Sequence, residues 1–143
     1  MEKMAKEPVI TFYINSHGGF ADELLSLITL IDMAKAAGIK IVTYNIGVAY
    51  SCGSILAVLG DEKYMSKYAD NVPHLGQAFL NPTTMEQLQR GTKHVTEWFS
   101  KIFDIYIKNT KISKKDLTRI LKDDDCHLNA AECLNYGFCD YII

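Results

Sequence analysis

The chain has 143 residues, of which 48% are hydrophobic and 22% charged, and its formal net charge at neutral pH is −2. That length and balance predict one domain, residues 1–143, with apolar material for a single core. The small net charge gives no reason to expect nucleic acid or an anionic membrane as a partner, and no apolar run approaches the roughly 20 residues of a membrane span.

The charged run 1–7 is not expected to be a signal peptide. Residues 8–15 are rich in β-formers with little alternation, which predicts a strand buried on both faces. Ser16-His17-Gly18-Gly19 breaks it. Residues 21–37 read as a helix with Leu24, Ile28 and Ile31 on one stripe, stopped by Gly38. A second buried strand is predicted over 39–46. Residues 47–53 follow as a tight turn of small residues that sets Ser51 before an apolar helix reaching about Leu59. Strand–helix–strand–helix of this kind implies a mostly parallel α/β sheet with right-handed βα crossovers.

After Gly60, short extended pieces are expected near 63–65 and 70–74, then a polar loop through Asn81-Pro82. Residues 83–108 predict a long helix. Its first half is mostly polar and its second half places Val95, Trp98, Phe99, Ile102 and Tyr106 on one side, the pattern of a helix that projects from the domain. Helices near 113–122 and 129–136 and a terminal strand over 139–143 complete the chain. The four cysteines, Cys52, Cys126, Cys133 and Cys139, form no C-x-x-C pair and no metal-ligand spacing with the histidines. No metal or other cofactor is expected, and the thiols read as reduced, in a cytoplasmic protein.

Ser51 carries the chemistry. A serine in the first turn of a helix lies where backbone N–H groups lack intrahelical partners, which suits a nucleophile whose attack creates an oxyanion. The plain alternative is an N-cap serine before a core helix. A nucleophilic serine needs a base, and the base needs an orienting group. His17, His74, His94 and His127 are the available histidines. His94 reads as a solvated helix residue and His127 as a loop residue. His74 ends an extended segment that the sheet can return to Ser51, and His17 competes with it from the neighbouring strand end. Asp123-Asp124-Asp125 is the clustered carboxylate run, readable also as a solvated turn, and Gly18-Gly19 could present backbone N–H groups to an anion or be a simple turn.

In this order the pieces resemble the proteolytic subunit of the Clp protease, a family of self-compartmentalising serine peptidases on the crotonase-like fold. Phe12-Tyr13-Ile14-Asn15-Ser16-His17-Gly18-Gly19 looks like the family's F-Y-I-N-S-P-G-G, and Gly47-Val48-Ala49-Tyr50-Ser51-Cys52-Gly53 looks like its G-x-A-x-S-M-G turn. Tyr64 and His74 keep the spacing of its tyrosine and catalytic histidine. Asp125-Cys126-His127-Leu128-Asn129-Ala130-Ala131-Glu132 resembles D-x-F-L-S-A-x-E, and Tyr136-Gly137-Phe138-Cys139-Asp140 resembles Y-G-L-V-D. The match covers residues 9–143.

The resemblance implies Ser51 as nucleophile, His74 as general base and Asp125 as orienting acid, with an oxyanion hole from the N–H groups of Gly19 and Cys52. It makes the long helix the family's handle, which joins two heptameric rings. It also places Leu75, Gly76, Gln77, Ala78 and Phe79 where the family pairs a strand with extended substrate backbone. Polypeptide substrate and a homo-oligomer follow.

Four departures qualify this picture. His17 replaces a proline, and Pro73 removes an N–H beside His74, so strand pairing is expected to differ there. Asp124 stands where the family has a ring-contact arginine, which weakens the case for a double ring. Cys52 replaces a methionine. The family's N-terminal axial segment is expected to be absent, so an AAA+ unfoldase or related Clp subunit is a candidate partner without direct support. These features suit a shortened member or a phage head-maturation-type protease. The leading expectation is a serine endopeptidase, a hydrolase acting on unfolded or extended polypeptide inside an oligomeric chamber. Its rivals are a catalytically inactive ring or scaffold subunit paired with an active partner, and a crotonase-type acyl-CoA enzyme.

Overall fold

A computed structural model describes residues 7–76, 80–123 and 125–143. Asp124 and three of the residues expected in the substrate strand, Gln77, Ala78 and Phe79, therefore lie outside the described residues, as do residues 1–6. The order is β1 (Val9–Ser16), α1 (Ala21–Ala36), β2 (Lys40–Tyr50), α2 (Cys52–Ala57), β3 (Glu62–Met65), β4 (Asp70–Val72), α3 (Met85–Asn109), α4 (Lys114–Leu121), α5 (Ala130–Tyr136) and β5 (Tyr141–Ile142). All four strand ladders are parallel. Strand β1 lies on one edge of β2. Strands β3 and β4 follow one another along the other edge, pairing with Val42–Asn45 and Val48–Tyr50 respectively, and β5 closes onto β3.

Asn45 spans the break between β3 and β4: its main-chain oxygen accepts Ser66 N–H at 2.9 Å and its side-chain nitrogen donates to the Asp70 carbonyl at 3.0 Å. This continuous β2 corrects one expectation. The segment 47–50 is strand, not turn, because β4 pairs with it and Asn15 supports it from the other side. The Asn15 side-chain oxygen accepts Val48 N–H at 3.1 Å, and a Cβ at Gly47 would lie only 2.5 Å from that oxygen. Glycine at 47 makes room for the Asn15 side chain within the sheet; it does not turn the chain.

A second correction concerns β1. Only Ile14 is buried along it, while Tyr13 is 68% exposed. The apolar composition there leaves one sheet face open in the isolated subunit. On that sheet Tyr13, Tyr44, Tyr64 and Tyr141 sit in paired register, and their rings stack with centroids 5.1, 4.6 and 4.9 Å apart, close to the spacing of neighbouring strands.

The main core lies where α2 meets the C-terminal helices. Ile55 and Val58 pack there with Ile102 and Tyr106 of α3, Leu117 and Ile120 of α4, and Cys133 of α5. Helix α1 buries Leu24 and Ile31, with Ile28 packed beside them, and Gly38 at φ +78° follows its end. Asp61 fastens α1 to the start of β2: its carboxylate meets Lys35 Nζ at 2.8 Å and accepts Ile41 N–H at 2.8 Å. Helix α3 is capped by Thr84, whose hydroxyl accepts Gln87 N–H. Its N-terminal half is largely exposed, Met85 at 70%, and only its second half enters the core, as the sequence pattern predicts.

Candidate active site

The chain reverses from β2 into α2 at Ser51, with φ 54° and ψ −120°. Among the described residues it is the one non-glycine with positive φ. Such a conformation costs on the order of 1–3 kcal/mol and persists only where its surroundings impose it. Three contacts do so. Ser51 N–H donates to the Val72 carbonyl of β4 at 2.9 Å, and Ser51 O accepts Ile55 N–H at 3.2 Å to begin α2. From above, Gly18 (φ +106°) presses on the serine: a Cβ there would meet Ser51 Cβ at 2.7 Å and Oγ at 3.3 Å. Only glycine fits that approach and that backbone angle.

Ser51 opens onto a cleft of about 790 Å³ whose lining includes Gly19, Cys52, His74, Leu75 and Gly76. Leu25, Ile55 and Trp98 supply apolar wall. The cleft therefore gathers the expected nucleophile, base and oxyanion donors on one surface. Cys52 is the first residue of α2, where helix geometry leaves the N–H without an intrahelical acceptor. Because α2 has only six residues, that local donor matters more than any helix dipole. The Cys52 thiol donates to the Gly19 carbonyl at 3.3 Å, tying the two oxyanion candidates together.

Gly76 N–H donates to His74 Nδ1 at 3.2 Å. A neutral imidazole that accepts at Nδ1 carries its proton on Nε2. A base working through Nε2 needs the other tautomer, with Nδ1–H held by a carboxylate. Leu75 and Gly76 are not strand here, and Gly76 has φ +82°.

Asp125 lies on the loop before α5, exposed, and is not among the residues lining the cleft. Its N–H donates to Asp123 Oδ1 at 3.1 Å and its carbonyl accepts His127 N–H at 3.0 Å. The loop is nevertheless anchored beside the base, since Leu128 and Asn71 exchange two main-chain hydrogen bonds of 2.8 and 3.1 Å.

A carboxylate–histidine pair that sequence reasoning missed lies close by. Asp70 Oδ2 bonds His127 Nδ1 and accepts the Tyr50 hydroxyl at 3.2 Å. The Tyr50 ring lies T-shaped to both His17 and His127, with centroids 5.2 and 5.5 Å away. Burial, with the Asp70 charge and hydrogen bond, pushes the Tyr50 hydroxyl up, so it remains a donor. The two partners are 57 positions apart in the chain, and only the Val48–Asp70 register and the Asn71–Leu128 bridge bring them together. His17, the competitor for the base, and His94, expected to be merely solvated, also line the cleft. Among the described residues no group of three or more His, Cys, Asp or Glu has the arrangement of a metal site.

Comparison with known proteins points to one family. The family model for Clp protease matches residues 1–143. An ATP-dependent Clp protease proteolytic subunit of Bigelowiella natans is 30% identical over 151 residues, spanning all of this chain and 72% of the relative. The subunit of Deinococcus radiodurans is 28% identical over 145 residues, covering 69% of its own length, and that of Leuconostoc citreum is 30% identical over 147 residues, covering 70%. A solved structure described as "Crystal structure of an Enzyme" superposes with a TM-score of 0.77 at 22% identity, over 97% of this chain and 80% of that one, and shows the fold alone.

The architecture is thus α/β with a mostly parallel, crotonase-like sheet, and the class of protein is a serine-type peptidase, a hydrolase. The chain belongs to the Clp protease family. Among the described residues no helix is long and apolar enough to cross a membrane.

Proposed function

We propose that the protein is an endopeptidase that hydrolyses unfolded or extended polypeptides with Ser51 as nucleophile, His74 as base and Asp125 as orienting acid. The observation that carries this reading is the strained Ser51, fixed by Val72 and Gly18 in the cleft that His74 also lines. Ser51 Oγ attacks the scissile carbonyl carbon as His74 takes its proton. The carbonyl oxygen becomes an anion facing the N–H groups of Gly19 and Cys52. Collapse breaks the C–N bond, with His74 returning the proton to the leaving amine. Water then adds to the acyl-serine, its proton passing through His74, and the acid product leaves. Proton transfer and oxyanion stabilisation contribute about 10²–10⁴-fold and 10²–10³-fold respectively in enzymes of this kind.

For His74 to act as base, the Gly76 N–H must leave Nδ1 and the Asp125 carboxylate must take its place. We infer that subunits assemble into rings, heptameric by family resemblance, with the exposed half of α3 as the ring-joining handle. Segment 75–79, of which Leu75 and Gly76 line the cleft, would pair with extended substrate. One catalytic domain spanning residues 1–143 and a cytoplasmic location belong to the same proposal, with an AAA+ unfoldase or related Clp subunit as the candidate partner.

The test is hydrolysis of a casein-like unstructured substrate by the purified chain and by Ser51→Ala. Cleavage lost in the variant supports the reading; cleavage retained by it removes Ser51 from the mechanism. The Gly76–His74 bond favours one second reading, an inactive ring subunit that keeps the fold and pairs with an active partner. Inertness of a large, well-folded oligomer of wild-type chain would select it.

A further inference from the structure

Behind the Ser51 turn, side chains from three elements form one hydrogen-bonded chain through the core. Tyr106 of α3 is wholly buried, and its hydroxyl donates to Ser54 Oγ at 2.9 Å. Ser54 of α2, also buried, donates onward to Asn71 Oδ1 at 2.6 Å. Asn71 is the middle residue of β4, and its main chain carries the Leu128 bridge. The residue after it, Val72, accepts Ser51 N–H, and His74 stands two residues further on. Ser54 itself lies one helical turn beyond Ser51.

Polar groups in a core cost desolvation, and apolar residues of similar size would fill the same space without that cost. What the chain adds is direction. Each hydroxyl has one acceptor, and a hydrogen bond tolerates only a few tenths of an ångström, whereas apolar surfaces tolerate sliding. Burial pushes the Tyr106 hydroxyl far above its usual range, so it is a permanent donor, and the polarity Tyr106 to Ser54 to Asn71 is fixed. The middle of the network is the helix that starts at Ser51, and one end is the strand that delivers His74, with α3 at the other.

We propose that Tyr106, Ser54 and Asn71 are positioning residues for peptide hydrolysis, holding α2 against β4 so that Ser51 and His74 stay in register for proton transfer. This rests on the roles proposed for Ser51 and His74 above. None of the three touches substrate. They act through the three elements they join.

Steady-state hydrolysis of an unstructured fluorogenic peptide by the full chain, with thermal unfolding of each variant, is the test. Ångström-scale misplacement of reacting groups costs up to ~10²-fold, so Tyr106→Phe should lower kcat by about 10-fold and Ser54→Ala by about 30-fold, with KM held within about twofold. The double variant should be no worse than Ser54→Ala, because the links act in series. Ser54→Thr, which keeps the hydroxyl, should recover most of kcat. A purely structural role lowers Tm and leaves kcat alone, so kcat within about twofold of wild type in both single variants overturns the proposal whatever their Tm. A change confined to KM overturns it equally. Wild-type chain that cleaves nothing defeats the roles of Ser51 and His74 first, and this inference with them.

Discussion

Ser51 and Asp125 stand at the two ends of the proposed proton chain, and the protein holds them by opposite means. Ser51 is locked. Its strained backbone is fixed by a main-chain bond to β4, by the first bond of α2 and by the close approach of Gly18. Asp125 is exposed on a loop tethered at Leu128 and, through His127, at Asp70. Between them, His74 is held by Gly76 through the ring nitrogen that an orienting acid would use. The contrast teaches that the nucleophile is fixed by backbone strain and main-chain bonds, while the proposed acid is held only through its loop.

The largest expected effect breaks the locked end. Ser51→Ala should lower peptidase kcat by at least about 10⁴-fold, as loss of a serine nucleophile does elsewhere, with the fold retained by circular dichroism. Next comes the acid. Asp125→Asn should cost about 10²–10⁴-fold in kcat, because a neutral amide favours the wrong imidazole tautomer. Asp70→Asn should cost less than about 10-fold, since that carboxylate only tethers the loop. Equal losses in the two variants, measured side by side, would transfer the orienting role away from Asp125.

Gly18→Ala attacks the clamp above Ser51. The added methyl would stand 2.7 Å from Ser51 Cβ at a backbone angle that alanine resists. We expect a loss of about 1–3 kcal/mol in unfolding free energy and of about 10²-fold in kcat. Unchanged kinetics would show that the serine is held without that contact.

The smallest effect is on stability in acid. Burial pushes the Asp61 carboxyl up, but its bonds to Lys35 and Ile41 outweigh that and leave it below its usual range. Hydrogen bonds from Lys40 and Tyr64 lower Glu62 likewise. Both folded-state values lie below the unfolded ones, so the stabilisation is complete above the unfolded carboxylate value of about 4 and disappears as pH falls through the folded values. Asp61→Asn should therefore lower the unfolding free energy at pH 7, by about 1 kcal/mol or less because water screens so exposed a pair, and by less at pH 2. An equal loss at both pH values would mean that packing, not charge, is responsible.

The order of strands and helices was legible because periodicity and glycine punctuation are local. Gly38 and the aromatic half of α3 mark real features of the molecule. The end of β2 was not legible: Gly47-Val48-Ala49 has the composition of a turn, and only pairing with β4 and the Asn15 side chain make it strand. The exposure of β1 was hidden for a similar reason, since apolar composition cannot say whether the covering surface belongs to the same subunit. At the site, the junction serine could be read from small residues between a strand and a helix. The Asp70–His127 pair and the Tyr106–Ser54–Asn71 chain could not, because each joins residues separated by many positions with no shared motif.

The central claim is that Ser51, prepared by its fold, is the atom that attacks and His74 the group that activates it. Peptide mapping of the chain after reaction with a fluorophosphonate measures this directly. The account predicts a single adduct on Ser51, absent from Ser51→Ala and formed far more slowly in His74→Ala. An adduct on another residue, or hydrolysis of casein by a chain whose Ser51 stays unmodified, would contradict it.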